Sequence, residues 1–189
     1  GANSFAGSLM MKNRIGISVL NPIIDTEIKK HKKSAAGRTL WLVSNFFGNH
    51  ANRISLINTP HSFDFYHPEL IGDSFEEKIP LIPYLLVKDV LYEQLQPLED
   101  FFLELKKKGL KNIIHIEGPP PIENQDHINS SLLGEQKKLA LSKVQTDEKE
   151  EFIFEINPFK IRKKLWLLQS EVTKEICEKN GIIYLPPPS

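Results

Sequence analysis

The sequence predicts an α/β protein in which a mainly parallel sheet lies between two layers of helices, a three-layer α/β/α arrangement. Three observations predict it. Strand-like and helix-like segments alternate along the chain, an order that favours parallel pairing through right-handed crossovers. One segment, RTLWLVSNFF (38–47), is a nearly unbroken apolar run, as expected of a strand buried on both faces. Two long helical patterns each stop at a glycine shortly before a strand-like segment.

The elements follow in order. RIGISVL (14–20) alternates and is rich in β-branched residues, which predicts a strand ended by Asn21 and Pro22. A short charged helix over 25–33 can follow. The apolar run 38–47, closed by Gly48, is expected at the centre of the sheet. Residues 49–79 keep no period and are rich in Asn, His, Pro and Asp, so they read as a long surface loop of the kind that is often functional. Between 83 and 108, Val87, Leu91, Leu95, Leu98, Phe102 and Leu105 recur at steps of four and three, which predicts a helix stopped by Gly109. Pro97 implies either a kink or a break into two helices. NIIHIE (112–117) is the next strand, ended by Gly118 and three prolines.

Residues 122–156 form a charged insertion with a weak pattern, apart from a short helix near 132–141. The clearest helix comes next. Asn157 can cap it and Pro158 fits its first turn; Ile161, Leu165, Leu168, Val172 and Ile176 form one stripe, and Gly181 ends it. IIYLPPP (182–188) is the last strand. No internal repeat is visible, and the 189 residues are expected to form a single domain over 1–189.

Composition narrows the function classes. With 24 basic and 24 acidic residues the net charge is zero, so nothing draws a polyanion to the whole molecule and no nucleic-acid partner is expected. The apolar stretch 15–24 is interrupted by Asn21 and Pro22 and is too short for a signal core or a membrane span. Cys177 is the only cysteine, which excludes an internal disulfide and is compatible with a cytoplasmic protein. No glycine-rich phosphate loop occurs, so no nucleotide cofactor is expected.

Ligands of open α/β sheets bind beyond the carboxyl ends of the strands, which directs attention to GNHAN, EGPPPI and PPPS. Gly48 leaves a backbone amide approachable, and Asn49 or His50 beside it can aim a donor at a developing negative charge. The same residues equally suit a tight turn. Glu117, at a strand end, can act as an acid or base or simply accept a nearby hydrogen bond. His61, Asp64 and His67 match no familiar metal spacing and read as a polar loop. His127 in QDHI reads as a surface residue.

FFGNHAN, IEGPPPI and KLWLLQSEVTKEICEKNGIIYLPPP, in that order, resemble bacterial proteins of the SGNH/GDSL hydrolase superfamily over about 38–188. The resemblance implies a flavodoxin-like sheet and an esterase or acyl-hydrolase activity on a small-molecule or carbohydrate ester. It implies Gly48 and Asn49 at the oxyanion site, with His50 where the superfamily's usual asparagine stands. GANSFAGSL (1–9) is similar to a worn Gly-Asp-Ser block, which implies Ser4 as the nucleophile. Ser74, in the literal Gly-Asp-Ser of ELIGDSFEE, follows the oxyanion block instead of preceding it and lacks a buried strand before it, so it reads as a loop residue. The superfamily's Asp-x-x-His base block comes after the final strand, and none stands there in this sequence. The chain starts without methionine and stops after Pro-Pro-Pro-Ser, and a fragment whose flanks hold that block, catalytically incomplete as given, is expected. A non-catalytic binding or interaction domain on the same fold, using loop 49–79, is the alternative.

Overall fold

The computed structural model describes residues 10–12, 18–35, 37–45, 63–70, 79–128, 130 and 157–187. The protein mixes helices with a small parallel sheet, so the expected α/β class holds. The chain divides into two compact units, one of Gly1–Phe46, Asp89–Glu117 and Glu171–Ser189, the other of Phe47–Lys88 and Gly118–Ser170.

The described elements are β1 (Met10–Lys12), β2 (Ser18–Leu20), α1 (Pro22–Ser34), β3 (Trp41–Ser44), α2 (Tyr84–Lys107), β4 (Asn112–Ile116), α3 (Phe159–Lys179) and β5 (Ile183–Leu185). Strands β3, β4 and β5 form a parallel sheet in that order. Trp41 faces Asn112, Ser44 faces His115, and His115 in turn faces Tyr184.

Two expectations about the strands need correction. The segment expected to lead the parallel sheet supplies β2, which pairs antiparallel with β1 instead. Only residues 13–17 separate the two strands, a span that allows antiparallel return but is too short for a parallel crossover. The apolar run 38–47 supplies β3, which is an edge strand among the described residues, while β4 takes the middle. It is also not buried on both faces: Trp41 is 51% and Val43 59% exposed, alternating with half-buried Leu42 and buried Ser44. Ile183 and Leu185 of β5 are exposed on their strand as well. An apolar run reports composition; which neighbours cover it is a tertiary matter.

The helices follow the predicted stripes. Val87, Leu91, Leu95, Leu98, Phe102 and Leu105 of α2 are all buried, as are Ile161, Leu165, Leu168, Val172 and Ile176 of α3. Pro97 lies inside one continuous helix instead of dividing it. Pro97 and Glu93, the residue four before it, both lie on the exposed side of the helix. Both helices end the same way. Leu110 N donates to Leu105 O and Gly109 N to Lys106 O; Ile182 N donates to Cys177 O and Gly181 N to Glu178 O. This paired closure needs a left-handed residue, and Gly109 (φ 77°) and Gly181 (φ 57°) provide it. The chain is thereby turned straight into β4 and β5.

Helix α1 begins three residues before the expected 25–33 because Asn21 is its cap and not merely a strand stop: its Oδ1 accepts from Ile23 N at 3.0 Å. Helix α3 starts at Phe159, and its first backbone bond runs from Arg162 N to Pro158 O. Within the charged insertion, residues 125–128 are helical, opened by Asn124 Oδ1 accepting from His127 N. The helix expected near 132–141 lies outside the described residues. No helix among the described residues is long and apolar enough to cross a membrane.

Candidate functional site

Parallel pairing brings the carboxyl ends of β3, β4 and β5 to one edge of the sheet, so Asn45, Glu117 and Pro186 all leave from the same side. Side chains two apart on a strand share a face, and directly paired residues of neighbouring strands do too. Ser44, His115, Glu117 and Tyr184 therefore gather on one face near that edge. The backbone anchors the row, since Glu117 N donates to Leu185 O at 3.0 Å.

Two hydrogen bonds organise these side chains. Ser44 Oγ and His115 Nδ1 lie 2.9 Å apart, and the Tyr184 hydroxyl donates to Glu117 Oε2 at 3.3 Å. The His115 ring also stands edge-on to Phe102 of α2, with centroids 5.7 Å apart and planes at 78°. Burial pushes the His115 pKa down to about 4, because the imidazolium would lose its hydration. At neutral pH His115 is uncharged.

A serine beside a neutral imidazole has the composition of a nucleophile and its base. The geometry denies it that role. Ser44 is 0% and His115 1% exposed, so an ester carbonyl has no route to the hydroxyl. The pair holds strand to strand. Cys177 of α3 is likewise fully buried, and burial, followed by the negative charges of Glu117 and Glu178, pushes its thiol up to about 12. It stays protonated and unreactive.

The other unit buries charge. Lys164 Nζ of α3 lies 2.7 Å from Asp64 Oδ1, with the two side chains 1% and 5% exposed. The same oxygen accepts from Phe65 N at 2.8 Å. Asp64 is fixed in turn by its backbone, which accepts from Ile82 N and donates to Pro80 O. Arg162 is enclosed nearby in the chain and donates to Asn157 O, Ile122 O and Gln125 Oε1, the last two of which hold segment 122–125 to the helix. Asp64 is thus committed to an ion pair, and His127 is exposed as expected.

Ser4, Gly48 and Asn49 lie outside the described residues, as do His50, His61 and Ser74. Glu117 is where its strand-end position predicted, with Tyr184 as a partner. Ser44 and His115 were not singled out by sequence, although one signal was available. His115 occupies an inward position of NIIHI alongside Ile113, and a histidine in a buried register needs a polar partner. No family model, curated protein or solved structure matches the chain.

Proposed function

We propose that the protein is an α/β hydrolase domain of the SGNH type that cleaves an ester or acetyl group of a small molecule or carbohydrate at the carboxyl edge of its sheet. The observation that carries this reading is the parallel alignment of β3, β4 and β5. FFGNHAN, IEGPPPI and IIYLPPP, the segments that bear the resemblance, each run through or follow one of the three aligned strand ends. In this reading the full domain is three-layered and flavodoxin-like, Ser4 Oγ attacks the ester carbonyl, and Gly48 and Asn49 donate to the oxyanion that forms. The alcohol leaves, and water releases the acid from Ser4. A lone buried cysteine fits a cytoplasmic setting.

Turnover of p-nitrophenyl acetate by the chain and by a version extended on both flanks, each beside its Ser4→Ala and Asn49→Ala variants, tests this. Loss of the nucleophile should lower kcat by roughly a thousand-fold or more, and loss of one oxyanion donor by about a hundred-fold. Equal rates for the parent and Ser4→Ala contradict the assignment. A folded protein with no turnover at all leaves the non-catalytic binding domain as the better account.

A further inference from the structure

Strand β3 has little to fix its register. It is four residues long, pairs only with β4 among the described residues, and has one face open at Trp41 and Val43. A slip of one residue against β4 would exchange its two faces, turning Trp41 and Val43 inward and Ser44 outward. Hydrophobic burial would not oppose that slip, because it would cover the larger side chains. Something other than apolar packing has to select the observed alignment.

We propose that the Ser44–His115 hydrogen bond is the register pin of β3, a positioning pair that fixes the alignment of the strand against β4. The bond is register-specific. Ser44 is directly opposite His115, and Leu42, the next residue on that face, has no polar group to offer. His115 is itself held against Phe102, so the ring cannot follow a displaced strand. A slipped β3 would leave the imidazole buried with no hydroxyl to meet, which a buried polar group does not tolerate cheaply. Ser44 is the last residue of β3, four before Gly48 in the sequence, and any consequence for Gly48 and Asn49 as oxyanion donors rests on the proposed hydrolase function; the pin itself does not.

Amide hydrogen exchange tests the pin in Ser44→Ala, Ser44→Thr and the double variant Ser44→Ala/His115→Phe. The double variant removes both polar partners and so leaves neither orphaned, which keeps overall stability close to that of the parent. Exchange over residues 41–45 should be at least about ten-fold faster in Ser44→Ala and in the double variant, with β5 unchanged, while Ser44→Thr, which keeps the hydroxyl, should match the parent. In ester turnover the same two variants should lose kcat at constant KM, and threonine should restore it. Parent-like protection of 41–45 in Ser44→Ala or in the double variant overturns the proposal. If protection depends on Ser44 but the parent turns over no ester, the pin stands and the hydrolase reading fails.

Discussion

Two buried polar pairs, one in each unit, solve the same problem differently. Ser44 and His115 meet as neutral groups at 2.9 Å; Lys164 and Asp64 meet as an amine and a carboxylate at 2.7 Å. Both are almost wholly enclosed. For His115, burial lowers the pKa to about 4 and removes the charge altogether. Asp64 has a cation and a backbone amide within hydrogen-bond distance, so burial is met by pairing. What encloses a titratable side chain matters less than what meets it there, and the two pairs should differ in how much a mutation costs.

The largest effect is expected at the ion pair. Lys164→Met should cost about 3–5 kcal/mol, because it leaves the Asp64 carboxylate buried without its cation, whereas Asp64→Asn/Lys164→Met should recover most of that loss. Urea denaturation at pH 7 measures both. A single variant no less stable than the double one would break the contrast.

Acid should act on the neutral pair next. An unfolded histidine binds its proton near pH 6.5 and folded His115 only near pH 4, so between those values the unfolded state holds the extra proton. Stability from this group is complete above about pH 6.5, falls as pH drops towards 4, and loses roughly 3 kcal/mol in all. His115→Phe removes this dependence, so the pH profile of the parent minus that of the variant isolates it. A flat difference between pH 7 and 4 would place His115 in contact with water.

Ser44→Ala at pH 7 should cost less, about 1–3 kcal/mol, since it orphans one neutral nitrogen instead of a full charge. The smallest change is expected at the surface. Lys107 pairs with Glu104 at 2.7 Å, a spacing equal to that of the buried ion pair, yet its side chain is 70% exposed. Lys107→Ala should shift stability by no more than about 0.5 kcal/mol. A loss comparable to Lys164→Met would mean that distance, and not burial, sets the strength of these ion pairs.

The parts legible in the sequence were those governed by local rules. The α2 and α3 stripes repeat at helical spacing, and Gly109 and Gly181 stop those helices through a conformation that other residues resist. Strand partners were not legible. RIGISVL has the pattern of a strand, but nothing in it chooses an antiparallel neighbour over a parallel one, and the run around Trp41 looks buried because its composition is apolar. Asn21 suits a strand end and a helix cap equally, and only the backbone decided between them. Lys164 and Arg162 escaped notice because a charge on a helix is read as outward, and the carboxylate that brings Lys164 inside stands 100 residues earlier in the chain. At the site, Glu117 was visible from its place at a strand end, while the Ser44–His115 contact required knowing that β3 and β4 are neighbours.

The most direct test of the proposed chemistry is covalent labelling with a fluorophosphonate, which displaces fluoride only onto an activated serine, followed by intact-mass measurement and peptide mapping. In a version extended on both flanks the hydrolase account predicts a single adduct, on Ser4, that is lost in Ser4→Ala and weakened in Asn49→Ala. An extended protein that folds and stays unlabelled, or an adduct on Ser74 instead, would contradict it.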